Sequence, residues 1–171
     1  MSKKLCEMSL EELWQLFPII LAEHNPYWIE WYNEEVKQLE SLLPSDTVYH
    51  HVGSTAINDI WAKPIIDILI VVNSICQLKD TADILQENDY IIMSANDKRI
   101  SLNKGYTEKG FSEKVFHLHI RLNGDTDEIF FRDYLNTHPD IAKEYEHNRD
   151  AYTDAKTDFV KRYTSLAKDL I

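Results

Sequence analysis

The sequence predicts a single α/β domain spanning residues 1–171, with a mixed, twisted sheet of about four to five strands, helices on its faces and a helical C-terminal third packed over one side. Three observations predict this fold. Ile65–Val72 is apolar on both faces, as in a central buried strand. Residues 28–43 carry apolar side chains at helical spacing. The 171 residues, 44% of them hydrophobic, suffice for one domain with a sizeable core.

Charge and cysteine content argue against several classes of protein. The net charge is −11, and a strongly acidic surface repels phosphate backbones, so we expect no nucleic-acid partner. Cys6 and Cys76 form no C-x-x-C pattern, which favours reduced thiols over a disulfide scaffold or a structural zinc. Residues 1–10 are too polar for a signal peptide, and residues 65–72 are too few to span a bilayer. We therefore expect a cytoplasmic protein with no membrane partner, and the oligomeric state is left open.

The N-terminal part of the chain predicts two helices with a strand between them. Ser9-Leu10-Glu11-Glu12 is typical of a capping box and begins a helix towards Phe17. Pro18–Leu21 then predicts a strand. Asn25-Pro26 predicts the next helix, with Asn25 as its cap and Pro26 at its first position.

The central part predicts alternating strands and helices. Strands are expected at Thr47–Val52, Ile65–Val72, Tyr90–Met93 and Lys114–Leu122, with a helix at Leu78–Asn88. The polar segment Asn96–Gly110 predicts a hairpin or a mobile loop. Helices are expected at Asp127–Thr137, from Pro139, and in a last segment that contains Phe159 and Leu170.

A Gly53-Ser54-Thr55 turn directly follows the predicted strand Thr47–Val52. Glycine allows a ligand to approach the backbone closely, and the amides and hydroxyls that follow can donate to phosphate oxygens. The alternative is a tight turn with a capping serine. The turn is therefore a candidate phosphate-binding site.

Asp67 strengthens the phosphate interpretation. An ionised carboxylate within an apolar strand is costly unless it is paired or binds a metal. It follows Gly53 at about the interval of the polymerase-beta-type nucleotidyltransferase signature, in which strand carboxylates hold magnesium against nucleotide phosphates. The alternative is an ion pair with a buried arginine or histidine.

Longer blocks of sequence resemble the GrpB family. The hallmark is His51-Val52-Gly53-Ser54-Thr55-Ala56 followed by residues 62–68, Ala-Lys-Pro-Ile-Ile-Asp-Ile. Further matching blocks, in family order, are Glu23–Trp28, Phe116–His119, Phe131–Leu135 with His138-Pro139, and Ala151–Lys156. The resemblance implies a nucleotidyltransferase-superfamily (polymerase-beta-like) fold. A similar domain occurs fused to dephospho-coenzyme A kinase, which by association suggests nucleotide or coenzyme metabolism.

The chain departs from the wider superfamily at position 69. There the superfamily places a second carboxylate, two residues after the first, whereas this chain has Leu69. A two-metal site needs several oxygen ligands and leucine supplies none. This departure favours a site with one divalent cation, Mg²⁺ or Mn²⁺, or with none.

Histidines and basic residues complete the candidate site. His117 and His119 share a strand face, and with Asp67 they can bind one metal or move a proton; the alternative is a hydrogen-bonded polar cluster. His51 is a third candidate, with His50 pointing the other way. The candidate cations for phosphate charge are Lys63, Arg132 and Lys156, whose alternative is surface ion pairing.

These observations predict a nucleotidyltransferase-like protein that binds a phosphorylated small molecule or nucleotide. Asp67 and His119 are the candidate catalytic residues and the candidate metal ligands. Ligand binding is assigned to His51, Gly53, Ser54, Thr55, Lys63, His117, Arg132 and Lys156. The alternative is a binding or regulatory module of the same fold without catalysis.

Overall fold

A computed structural model of the chain describes residues 3–18 and 20–148. Their strands form one five-stranded sheet in the order β1-β2-β5-β4-β3. The strands are β1 (Val48–Val52), β2 (Ile65–Val72), β3 (Ile91–Ala95), β4 (Arg99–Thr107) and β5 (Gly110–Leu122). β2 and β5 pair in parallel and every other pair is antiparallel, so the predicted mixed sheet is confirmed.

Five helices accompany the sheet in the described ranges. They are α1 (Leu10–Leu16), α2 (Trp28–Leu42), α3 (Ile75–Gln86), α4 (Asp127–Thr137) and α5 (Pro139–Asn148). The main core packs α2 and α3 against one sheet face, through Leu39, Ile68 and Leu78 among others. On the other face a smaller cluster joins Val52, Leu69 and Val71, and Ile129 of α4 packs against it. None of the described helices is long and apolar enough to cross a bilayer.

The predicted start of the first helix is confirmed, whereas the predicted start of the second helix is wrong. Ser9 and Glu12 form the predicted capping box, because each side chain accepts a hydrogen bond from the other's amide. Asn25 accepts from the amide of Tyr27, but α2 begins only at Trp28, so Pro26 lies before the helix.

One further local prediction is wrong, and one open alternative is decided. Residues 18, 20 and 21 are not in a strand; the next residue, Ala22, forms only an isolated bridge with Ala62. In the segment 96–110 the hairpin alternative is confirmed, since β4 pairs with both β3 and β5. The physical reason is the alternation of buried Ile100 and Leu102 with more polar neighbours, which is the pattern of a strand with one face on the core.

Strand register determines which side chains share a face. Directly paired residues point to the same side of a sheet. Asp67 is paired with His117 on one side and Val52 on the other, and Leu69 is paired with His119. Asp67, His117 and His119 therefore lie on the face that carries α4, where the structure leaves them partly exposed.

Candidate functional site

The carboxylate of Asp67 packs directly against the backbone of Gly53. Gly53 has φ 75° and ψ −175°, and a short 3₁₀ turn, Ser54–Ala56, follows it. A Cβ atom built on Gly53 would overlap Oδ2 of Asp67 and would lie 2.9 Å from its carboxyl carbon. Glycine is required here both by the conformation and by this close approach. The acidic strand residue thus touches the turn at Gly53. We call the region around this contact the Gly53 cleft (Gly53, Ser54, Asp67, His117, His119).

Two histidines flank Asp67 within this cleft. Nε2 of His119 lies 2.8 Å from Oδ1 of Asp67, and Nδ1 of His117 lies 3.8 Å from the same oxygen. The side chains of Asp67, His117 and His119 are 22%, 27% and 25% exposed. A small molecule in solvent can therefore reach all three side chains.

The charge state of the cleft follows from burial and from these contacts. Burial raises the pKa of Asp67, but the hydrogen bond to His119 and the nearby histidine charges lower that pKa more, so it lies below its usual value. Burial lowers the pKa of His117, although Asp67 opposes that shift. At pH 7 Asp67 is therefore ionised and His117 is neutral.

Tyr106 of β4 extends this hydrogen-bonded group. Its hydroxyl lies 2.7 Å from Nε2 of His117, and the two rings are stacked. Because Nδ1 of His117 faces the ionised Asp67, we assign the proton of the neutral ring to Nδ1, so that Tyr106 donates to Nε2. Tyr106 lies in the polar segment 96–110, and its contact with His117 depends on strand pairing that no local motif reveals.

His51 does not face Asp67 across the cleft. Its strand partner is Ile68, so its side chain leaves the opposite sheet face, where it stacks on Tyr32 of α2. Nε2 of His51 and the hydroxyl of Thr55 are 2.9 Å apart, and that hydroxyl donates to the carbonyl of Ile65 at 3.2 Å. His51 is therefore the donor to Thr55. Both residues position the turn, and their predicted contact with phosphate stays a prediction.

His51 gives a testable pH dependence of stability. Burial lowers the pKa of its imidazole to about 4 from 6.5. The unfolded chain therefore binds a proton more readily than the folded protein between these values, and stability is lost as pH falls through this window. Between pH 7 and pH 5 we expect a loss of about 2 kcal/mol from this group.

Urea unfolding of wild type and His51→Gln at pH 7 and pH 5 measures this contribution. The variant should be less stable at pH 7, because it loses the fit to Tyr32 and Thr55, but its stability should change less with pH. Equal pH slopes in the two proteins would contradict the assignment to His51.

Helix α4 fixes the backbone of the turn through long polar side chains. Arg132 donates to the carbonyl of His51 at 2.8 Å, and its guanidinium also binds Asp133. Asn136, one helical turn later, donates to the carbonyl of Ala56 and accepts from the amide of Asn58. The sequence predicts that Arg132 contacts phosphate, but it does not predict a role for Asn136. Its one sequence signal is the i, i+4 spacing from Arg132, which places both on one helix face.

Of the remaining predicted cations, one lies near His117 and the other lies outside the described residues. Lys63 precedes β2 and lines a cavity that also contacts His117. Lys156, like the predicted last helix, lies outside the described residues.

The described residues do not fit a pair of magnesium ions. Leu69 is 0% exposed and packs with Val52 and Val71 where a second carboxylate would stand. Among residues 3–18 and 20–148, no group of three or more His, Cys, Asp or Glu side chains is arranged to hold a metal. The predicted role of Asp67 and His119 as ligands of a single cation stays a prediction.

Comparisons with known proteins agree with the fold. The GrpB protein family model matches residues 18–169. UPF0157 protein YqkA of Bacillus subtilis is 34% identical over 143 residues, and the match covers 80% of this chain but only 41% of that protein. Glutamate-rich protein GrpB of Alkalihalophilus pseudofirmus is 32% identical over 163 residues, covering 83% of this chain and 91% of that protein.

Solved structures also show similarity to a GrpB protein and to a nucleotidyltransferase-type fold. The crystal structure of conserved protein GrpB from Enterococcus faecalis matches with a TM-score of 0.71 at 29% identity, covering 86% of this chain and 96% of that one. The Cid1 poly(U) polymerase, in a structure with MgGTP bound, matches with a TM-score of 0.51 at 12% identity, covering 72% and 41%. This second likeness shows a nucleotidyltransferase-type fold alone. Family match, relatives and fold together establish that the chain belongs to the GrpB protein family.

Proposed function

We propose that this protein binds a phosphorylated small molecule or nucleotide in the Gly53 cleft. The observation that carries the proposal is the contact of the Asp67 carboxylate with the Gly53 turn, which brings an anionic group beside the start of that turn. Within the described residues the amides of Ser54 and Thr55 donate to no backbone carbonyl, and the Ser54 hydroxyl makes no hydrogen bond. These groups are available to phosphate oxygens.

The proposed site also binds one divalent cation, for an electrostatic reason. A phosphate at the turn would lie beside the ionised Asp67, and two anions at that distance repel each other. Asp67 and His119 would hold the cation, whose chemistry there is to neutralise charge between the carboxylate and the phosphate. Imidazole suits transition metals better than Mg²⁺, so we expect Mn²⁺ to bind more tightly than Mg²⁺.

Arg132 acts through the turn rather than on the ligand in this proposal. Its guanidinium is already engaged by the His51 carbonyl and by Asp133. Lys63 is a candidate for direct charge neutralisation, because it lines the same cavity wall as His117.

The second candidate function is ligand binding without catalysis, as in a regulatory module. Buried Leu69 favours it, because nucleotidyl transfer by two metals needs the carboxylate that this side chain replaces. Release of pyrophosphate from ATP or UTP with Mn²⁺ would distinguish an enzyme from such a module.

The Asp67→Asn variant tests the site. We expect it to weaken binding of ATP with Mn²⁺ by roughly tenfold or more, since it removes the charge that holds the cation. Isothermal titration calorimetry with ATP, UTP and coenzyme A, each with Mn²⁺ and with Mg²⁺, gives the affinities. The matched control is Asp83→Asn, which removes an exposed carboxylate on α3. Equal affinities for wild type and Asp67→Asn, or no rise of melting temperature with any probe, would contradict the proposal.

A further inference from the structure

A cavity of about 440 Å³ lies beside the Gly53 cleft on the same sheet face. Its lining includes Ile65 of β2 and Val115 and His117 of β5. In the parallel register Ile65 pairs with Val115, two positions before Asp67 pairs with His117. The cavity therefore lies roughly 7 Å along the strands from the carboxylate. Its volume falls within the range of small-molecule sites, which is about 300–1,000 Å³.

Three aromatic rings form one wall of this cavity. The ring centroids of Phe17 and Tyr106 are 4.8 Å apart, those of Phe17 and Phe111 are 5.0 Å apart, and those of Tyr106 and Phe111 are 5.2 Å apart. Phe111 is nevertheless exposed, as is Ile20 on the same lining. Large apolar side chains that line a concave surface and still face solvent are typical of a ligand site.

His117 belongs to both spaces. It lines the cavity, its Nε2 accepts from Tyr106 of the aromatic wall, and its Nδ1 faces Asp67 of the Gly53 cleft. The cavity and the cleft are thus adjacent parts of one surface, and a single ligand can occupy both. Polar groups at the cavity's edge, from Lys63, Ser112 and Glu113, offer both donors and acceptors.

We propose that this cavity receives the nucleobase of a nucleotide whose phosphates lie at the Gly53 turn; the inference rests on the proposed function. A planar, largely apolar ring with polar edges matches an aromatic wall with donors and acceptors at its rim. A sugar phosphate or inorganic phosphate would leave the aromatic wall uncovered. The ligand class is therefore nucleotides rather than phosphorylated molecules in general.

Affinities of wild-type protein for nucleoside triphosphates and for inorganic tripolyphosphate test this inference. Calorimetry with ATP, UTP and tripolyphosphate, each with Mn²⁺, uses the full chain. At least one nucleotide should bind about tenfold more tightly than tripolyphosphate, because base stacking on aromatic side chains contributes to binding of this order. Phe111→Leu, which removes the ring but keeps an apolar side chain, should lower nucleotide affinity about fivefold and leave tripolyphosphate affinity unchanged.

Met93→Ala is the matched control, since Met93 is an exposed apolar side chain on β3 outside this cavity. It should change neither affinity. If tripolyphosphate binds as tightly as both nucleotides, or if Phe111→Leu weakens all probes equally, the nucleobase assignment is wrong while the phosphate site stands. If no probe binds, both the assignment and the proposed function are wrong.

Discussion

The Gly53→Ala variant should lose about 4 kcal/mol of unfolding free energy and all binding of phosphorylated probes. The backbone at φ 75° and ψ −175° is a region that only glycine enters readily, which accounts for about 1–3 kcal/mol. The new methyl group would also displace the Asp67 carboxylate and so disturb its hydrogen bond to His119, a bond to a charged group worth about 1.5–3 kcal/mol. Urea unfolding and calorimetry measure the two effects.

Gly124→Ala separates backbone strain from the contact with Asp67. Gly124 also has a positive φ, 97°, but a Cβ there meets nothing within 4 Å. This control should lose only about 1–2 kcal/mol and should retain ligand binding. Similar losses in the two variants would show that the approach of Asp67 to Gly53 contributes little.

Leu69→Asp should lose roughly 4 kcal/mol of stability without metal and regain part of it when Mn²⁺ is added. The loss comes from removing a fully buried leucine from its contacts with Val52, Val71 and Ile129 and from burying a charge. The gain is expected because positions 67 and 69 share a sheet face, so the new carboxylate would join Asp67 as a second oxygen ligand. Unfolding curves with and without Mn²⁺ measure both terms.

Leu69→Asn is the control for this experiment. The asparagine side chain is about as small and polar as aspartate but carries no charge. Mn²⁺ should therefore restore much less of the stability lost in Leu69→Asn. If Mn²⁺ stabilises neither variant more than wild type, the expected likeness between this site and a two-metal site does not hold.

The sequence predicts the sheet and the contact between Asp67 and the Gly53 turn because both depend on short-range patterns. The short, β-branched apolar run Ile65–Val72, interrupted only by Asp67, favours a buried strand. The carboxylate within that run is costly to bury unless it meets polar partners. The shared face of His117 and His119 follows from strand alternation alone.

Other parts of the site depend on which strands pair, and in what register. His51 lies only two residues before Gly53 in sequence, yet its pairing with Ile68 directs it to Tyr32 on the other face. Asn136 forms hydrogen bonds with turn residues that lie about 80 positions earlier in the chain. Tyr106 meets His117 only because β4 and β5 pair along their length. Local sequence does not identify the partners in contacts of this kind.

Helix α4 holds the turn by its backbone groups, so the shape of the turn does not depend on the side chains that most turn residues carry. Arg132 and Asn136 bind carbonyl and amide groups, which every residue type except proline supplies in full. Residues at the rim, such as Asn58, can therefore change without reshaping the loop. Ligand preference in this protein could be redesigned by varying such rim positions on a preserved backbone.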